Sequence, residues 1–267
     1  MRSLSLLTAS LLCVAADQKD DDKVGNLKGM ADFSQTTYGL YSGFLDIENT
    51  TKSLHYVFAE SQNDPATDPL LLWFNGGPGC SSMLAWMQEH GPYVMDDGDT
   101  TFHENPYSWN KNASVIYLDQ PAGIGFSWCD EATAPEDCAS GDYESSLDNL
   151  DVLKTWFKRF PEYKTRDLYL SGESYAGIYV PYLLWQIDTF NNDPETAEDD
   201  KINLKGMMVG NGVTNWAYDT MPATIDMGYW RSIIGQDLHD QINKLACNYS
   251  LIDFDKNPSD ECMALLD

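Results

Sequence analysis

The sequence is poor in positive charge. Its 267 residues include 16 Lys and Arg against 42 Asp and Glu, which gives a formal net charge of -26 at pH 7. A chain this acidic repels phosphate backbones and anionic bilayers, so we expect no nucleic acid and no membrane surface as a partner. The balance suits an acidic compartment, because partial protonation of the carboxylates relaxes their mutual repulsion.

Long apolar runs and common cofactor motifs are also missing. No stretch reaches the roughly 18 apolar residues that a membrane-spanning helix needs. The cysteines lack the spacing of zinc ligands, and no glycine-rich loop precedes a Lys-Ser or Lys-Thr pair. We therefore expect no membrane span, no metal and no organic cofactor. With 43% hydrophobic residues, the chain can still bury a large core.

The N-terminus has the pattern of a secretory signal peptide. Arg2 precedes the apolar run Leu4–Val14, and two alanines follow before the first acidic residue. We predict a signal peptide over residues 1–16, cleaved near Ala16, and a flexible acidic lead-in over residues 17–34. The predicted location is the secretory pathway, leading to the exterior or to an acidic vacuole or lysosome.

Secretion favours disulfide bonds over metal sites for the cysteines. Removal of Cys13 with the signal peptide leaves five. The simplest pairing closes two short loops, Cys129–Cys138 and Cys247–Cys262, and leaves Cys80 unpaired. Three sequons predict N-glycosylation, at Asn49, Asn112 and Asn248.

Apolar strands alternate with helices along most of the chain. The pattern predicts a hairpin over residues 43–58, buried strands at Leu70–Phe74 and Ser114–Asp119, a further apolar strand at Leu204–Val209, and helices through residues 83–87, 143–160 and 182–187. This alternation predicts a mostly parallel α/β sheet covered by helices. We assign residues 35–212 to this core and residues 213–267 to the beginning of a helical insert.

One apolar run ends in a tight turn that carries a serine. The run before Gly172 is followed by Ser174 and Ala176, and a helical pattern begins after them. A serine at the tip of a strand-to-helix turn needs small residues two positions away on each side, because larger side chains would collide across the bend. The usual motif has Gly at the position of Ala176. The segments Asn75–Gly77 and Gln120–Gly123 also follow strands, at the edge where parallel sheets bind ligands.

Five segments resemble, in order, those of the serine carboxypeptidases, a family with the α/β-hydrolase fold. They are Trp73–Ser82, Glu89–Pro92, Asn105–Asn110, Leu118–Ser127 and Gly172–Gly177. Five ordered segments within residues 35–265 are far more specific than any one of them. The resemblance implies a serine-type carboxypeptidase that releases C-terminal amino acids from peptides and proteins through an acyl-enzyme.

The resemblance also implies a role for each site residue. Ser174 is the nucleophile, and the backbone N–H groups of Gly77 and Tyr175 stabilise the oxyanion. Four residues recognise the free carboxylate of the substrate, and a fifth forms a pocket wall: Asn75, Gly76, Glu89 and Glu173, with Trp73 as the wall. Crowded carboxyl groups raise one another's pKa and then donate hydrogen bonds, which predicts an acidic optimum. For Glu89 alone, an exposed carboxylate at a helix end is the ordinary alternative.

The general base has no candidate that fits. In this fold the nucleophile is followed by Asp and then His, and the only later histidine is His239, whose helical pattern predicts a solvated position. The upstream histidines are interpreted as structural: His55, His90 and His103. Family members continue to strands that bear the Asp and the His, and they pair the cysteine equivalent to Cys80 with a later one. The resemblance therefore implies a chain truncated inside the insert, lacking the last strands, with little or no hydrolysis of its own.

Two other functions remain open from the sequence. An acyltransferase can use the same scaffold, although Glu173 favours a peptidase because it fits carboxylate capture. A non-catalytic secreted protein that retains the carboxylate pocket is the other alternative. Release of free amino acids from a blocked dipeptide would separate these possibilities.

Overall fold

The computed structural model describes residues 18–25, 27, 37–96, 98–215, 219, 221–245, 247 and 260–266. The chain divides into two compact units, Met1–Gly210 and Asn211–Asp267. The predicted signal peptide and the sequon at Asn248 lie outside the described residues. Within the described residues, every helix is too short or too polar to cross a bilayer.

The first unit is built on a six-stranded sheet and a separate two-stranded hairpin. The strands are β1 (Leu40–Asp46), β2 (Ser53–Ala59), β3 (Leu70–Phe74), β4 (Tyr93–Val94), β5 (His103–Glu104), β6 (Ser114–Leu118), β7 (Leu168–Glu173) and β8 (Leu204–Gly210). The order in the large sheet is β1-β2-β6-β3-β7-β8. Strands β6, β3, β7 and β8 are parallel, whereas β1 and β2 form an antiparallel hairpin at one edge. The predicted mostly parallel α/β sheet is confirmed.

Both faces of the sheet are covered at β3, which explains its uninterrupted apolar sequence, whereas the edge strand β8 is largely exposed. In β3, Leu70, Leu72 and Phe74 enter one core, and Leu71 and Trp73 enter the other. The first core is completed by two helices, α1 (Asp142–Arg159) and α2 (Ala176–Asn192). The second is completed by the segment that follows β3.

Three local features differ from the sequence-based expectation. Leu147, predicted on the buried side of α1, is 39% exposed. The helix expected at residues 83–87 is a π-helical segment, Ala85–Glu89, in which the His90 N–H donates to the Ala85 carbonyl. Residues 18–22, in the expected flexible lead-in, are helical, and Asp22 accepts hydrogen bonds from Arg159 and Tyr56.

The second unit contains three helices within the described residues. They are α3 (Met221–Trp230), α4 (Gln236–Lys244) and α5 (Asp260–Leu266). The disulfide Cys247–Cys262 and Ile242 form its small core. His239 is not solvated as predicted, because its ring stacks on Tyr229 with centroids 4.3 Å apart and its side chain is 15% exposed. The helical periodicity of α4 alone cannot show that a tyrosine ring on α3 covers His239.

Candidate active site

Ser174 lies on a strained turn between β7 and α2. Its φ angle is 58°, in the left-handed region that non-glycine residues rarely occupy, and its N–H donates to the Gly210 carbonyl at 3.0 Å. A Cβ added to Gly172 would lie 2.5 Å from the Ala176 Cβ and 2.5 Å from the Phe74 carbonyl oxygen. The turn therefore requires small residues at these positions, as the sequence pattern indicates, and Ser174 is exposed at its tip.

A glycine-rich turn, residues 75–82, lies directly against this serine. It is closed by a hydrogen bond from the Cys80 N–H to the Gly76 carbonyl at 3.0 Å, and Gly77 has a φ of 112°. A Cβ on Gly76 would lie 2.4 Å from the Tyr175 nitrogen and 2.7 Å from the Ser174 Cβ. The fold thus brings together the two segments that carry the predicted oxyanion donors, Gly77 and Tyr175.

Asn75 joins the two glutamates of the predicted carboxylate site. Its Nδ2 donates to Glu173 Oε1 at 3.0 Å and to Glu89 Oε1 at 3.3 Å. Its Oδ1 accepts from Trp73 Nε1 at 2.9 Å and from the Ala85 N–H at 3.3 Å. Because both donors approach Oδ1, the amide orientation is fixed and its N–H groups face the carboxylates. Asn75 is 1% exposed, so this orientation is held inside the protein.

The π-helical segment brings Glu89 to Asn75. Desolvation raises the pKa of Glu89 above its ordinary value near 4.5, and the neighbouring Glu173 raises it further, against the hydrogen bond from Asn75. More than a third of the Glu89 surface remains exposed, so a ligand can reach the carboxyl group. A glutamate with a raised pKa can, when protonated, donate a hydrogen bond to a ligand carboxylate.

His90 belongs to the aromatic support of the site. Its ring stacks on Trp109 with centroids 4.2 Å apart, meets the Trp73 ring edge-on at 4.3 Å, and its Nδ1 lies 3.1 Å from the Tyr117 hydroxyl. Burial lowers the pKa of His90 from 6.5 to about 4, so the ring is neutral at mildly acidic pH. Trp73 is 5% exposed and donates to Asn75, which favours an orienting role over the predicted pocket wall.

Sequence reasoning missed two residues that hold the turn. Ser82 Oγ accepts the Asn75 N–H at 3.2 Å, and Asp119 accepts the Ser82 N–H at 3.0 Å. The available signal was Asp119 itself, since an acidic residue at the end of a buried strand must find buried donors. His55, interpreted as structural, is buried beside it, and His103, expected in a loop, lies on β5.

The remaining predicted residues lie in loops and turns. The structure contains the disulfide Cys129–Cys138, and Cys80 is an exposed free thiol in the glycine-rich turn. Two of the three sequons are described, and both Asn49 and Asn112 are exposed.

A mostly parallel sheet with a serine on a positive-φ strand-to-helix turn defines a protein of the α/β-hydrolase class. The fold matches the crystal structure of Kex1(delta)p, a prohormone-processing carboxypeptidase from Saccharomyces cerevisiae, with a TM-score of 0.74 and 24% identity. The match covers 93% of this chain and 56% of that one. At this level of identity, the likeness supports the fold alone.

Sequence comparison identifies the family within that class. The sequence model of the serine carboxypeptidases, which are peptide hydrolases, matches residues 31–267, and the chain belongs to this family. It is 37% identical over 244 residues to the lysosomal protective protein of Mus musculus, covering 91% of this chain and 48% of that protein. It is 37% identical over 232 residues to serine carboxypeptidase-like 35 of Arabidopsis thaliana, covering 86% and 47%. The chain spans about half the length of these relatives.

Proposed function

We propose that the whole protein releases C-terminal amino acids from peptides through an acyl-enzyme on Ser174. The observation that supports this proposal is that the Asn75 amide donates hydrogen bonds to both Glu89 and Glu173. Glu173 is the residue immediately before the nucleophile. Paired carboxyl groups at this position suit an enzyme that must bind a free carboxylate, because a protonated carboxyl group can donate a hydrogen bond to it.

The geometry supports a division of tasks among the residues of this chain. Asn75 and protonated Glu89 bind the substrate carboxylate, which places the last peptide bond over Ser174. The Ser174 hydroxyl attacks the carbonyl carbon, and its proton passes by way of a general base to the nitrogen of the departing amine. The N–H groups of Gly77 and Tyr175 stabilise the negative charge that develops on the carbonyl oxygen. Expulsion of the amine leaves an acyl-enzyme, and water releases the shortened peptide.

Amino acid release from an N-blocked dipeptide tests the proposal. The whole protein is incubated with the blocked dipeptide and with its C-terminal amide, and the released amino acid is quantified. We expect release from the free acid at a rate far above that from the amide. Equal rates on both substrates, or transfer of the acyl group to an added alcohol without hydrolysis, would contradict a carboxypeptidase and favour the acyltransferase.

Carboxylate binding should weaken as pH rises through the raised pKa of Glu89. Below that pKa Glu89 is protonated and donates a hydrogen bond, whereas above it the ionised side chain repels the ligand, so affinity is full at low pH and lost at higher pH. Calorimetric titration with an N-blocked amino acid from pH 4 to pH 8 measures this dependence.

The matched variant is Glu89→Gln, which keeps the hydrogen-bond donor and cannot ionise. We expect it to bind the blocked amino acid with an affinity that changes less than about threefold over the same pH range. A wild-type affinity that is flat across this range would rule out the proton-sharing mechanism.

We also propose that the protein follows the secretory route to a lysosome-like compartment. The acidic composition supports this, as does the similarity to a protein named lysosomal in mouse. The exposed sequons at Asn49 and Asn112 are then glycan acceptors. A loss of mass on endoglycosidase treatment, smaller by two glycans in the double variant Asn49→Gln/Asn112→Gln, checks this assignment.

A further inference from the structure

A buried carboxylate at the end of β6 ties two loops together. Asp119 is fully buried. Its Oδ1 accepts hydrogen bonds from Ser81 Oγ at 2.5 Å and from the Ser82 N–H at 3.0 Å, both in the glycine-rich turn. Its Oδ2 accepts from the Phe126 N–H at 3.1 Å and from His55 Nδ1 at 3.0 Å. Four donors therefore converge on one carboxylate from three parts of the chain.

The carboxylate remains ionised in this setting. Burial acts to raise the pKa of Asp119, but the hydrogen bonds from His55, Ser81 and Phe126 outweigh it, and the pKa lies below its ordinary value. An ionised carboxylate only accepts hydrogen bonds, so Nδ1 of His55 carries a proton. Charge-assisted bonds in a dry site are strong and directional, and they hold their donors rigidly.

Ser82 connects the two ends of the glycine-rich turn by hydrogen bonds. Asp119 fixes the Ser82 N–H, and Ser82 Oγ accepts the Asn75 N–H at 3.2 Å and donates to the Trp73 carbonyl at 3.4 Å. The end of the turn is thereby joined to its beginning. Gly76 and Gly77 lie between these two points, and Gly76 abuts the Tyr175 nitrogen.

The loop after β6 is shaped to enclose the same carboxylate. A Cβ added to Gly125 would lie 2.4 Å from Asp119 Oδ2, and Gly125 has a φ of 59°. Ser127 Oγ accepts the His55 N–H at 2.7 Å and donates to the Asp119 carbonyl at 2.7 Å. A loop built so closely around one side chain depends on that side chain for its position.

Ser42, His55 and Asp119 contact one another in the same sequence, Ser to His to Asp, as the residues of a catalytic triad. Ser42 Oγ lies 3.0 Å from His55 Nε2. Ser42, however, is on the extended strand β1 opposite Val57, whereas the nucleophile of this class needs the positive-φ turn that Ser174 has. The contacts of Asp119 instead lead to the glycine-rich turn.

We propose that Asp119, supported by His55, is a positioning residue that holds the glycine-rich turn where its N–H groups meet the oxyanion. The inference rests on the proposed function of Ser174. Asn75 has two further anchors, Trp73 Nε1 and the Ala85 N–H, so substrate binding depends less on Asp119 than oxyanion stabilisation does. Loss of the carboxylate should therefore affect kcat more than KM.

The test compares Asp119→Asn with Asp68→Asn in the whole protein. Asp68 is a matched control, because it accepts hydrogen bonds from Ser61, Asn63 and Asp64 in the turn that precedes β3, at the opposite end of that strand. Amide hydrogen exchange is measured segment by segment, and kcat and KM are measured on the blocked dipeptide. For Asp119→Asn we expect at least about tenfold faster exchange in residues 76–82 and 121–127 with β3, β6 and α2 unchanged.

For Asp119→Asn we further expect kcat to fall roughly 10- to 100-fold, with KM changed less than about threefold. Asp68→Asn should match wild type in all of these measurements except amide exchange in its own turn. Unchanged exchange in both loops, or faster exchange throughout the unit, would overturn the proposal, as would an unchanged kcat with loosened loops. If the wild-type protein releases no amino acid, the proposed function fails, and the exchange data alone decide whether Asp119 holds the turn.

Discussion

Ser174→Ala should lower kcat/KM of the whole protein on a blocked dipeptide by roughly 10⁴-fold or more, because it removes the atom that forms the acyl-enzyme. Binding of an N-blocked amino acid should change little, since the carboxylate contacts come from Asn75 and the two glutamates. Amino acid release and calorimetric titration on the same preparation measure both quantities.

The control for this variant is Ser171→Ala. Ser171 is buried three residues earlier, on β7, and its Oγ donates to the Leu72 carbonyl at 3.0 Å. Its loss should cost about 1 kcal/mol of stability and leave kcat/KM within about twofold of wild type. If Ser174→Ala retains a tenth or more of the wild-type rate, the nucleophile is another residue.

Gly76→Ala should inactivate the protein although it replaces no side chain that takes part in chemistry. The new methyl group would lie 2.4 Å from the Tyr175 nitrogen and 2.7 Å from the Glu173 carbonyl oxygen, so either the turn or the nucleophile must move. Displacement by about 1 Å at a reacting centre can cost 100-fold in rate. We expect at least that loss in kcat/KM, with a decrease in stability of about 1–3 kcal/mol from overpacking.

Gly235→Ala is the matched substitution in an open position. No heavy atom lies within 4 Å of the added Cβ, and the backbone φ of -81° is ordinary for alanine. Its kcat/KM should equal that of wild type, with at most a small loss of stability, because Gly235 is the N-cap of α4. Full activity of Gly76→Ala would mean that the glycine-rich turn does not approach the nucleophile as closely as described.

Several parts of the site could be predicted because they depend on residues close together in the sequence. The small residues at 172 and 176 are required by the bend itself, whatever surrounds it. The apolar composition of β3, and of β6 after Ser114, follows from burial on both faces of the sheet. The hairpin of β1 and β2 follows from its alternation and its polar turn.

Other parts could not be derived from local patterns, because they depend on contacts between distant segments, and for the carboxylate site only the family resemblance indicated them. Asn75 and Glu173 are 98 positions apart, and only the parallel pairing of β3 with β7 brings their side chains together. The expected solvation of His239 failed for the same reason, since Tyr229 on another helix covers its ring. The hydrophobic periodicity of one helix does not indicate which side chains of another helix pack against it.

The sequence by itself therefore determined the fold class, the turn that carries Ser174 and the family resemblance, since periodicity and glycine stereochemistry are local properties of the chain. The tertiary structure decided how the site is held. It determined the fixed amide of Asn75, the raised pKa of Glu89, the neutral state of His90 and the four donors on Asp119. Each of these depends on burial and on hydrogen-bond partners supplied from elsewhere in the fold, and they exist only once the strands have paired.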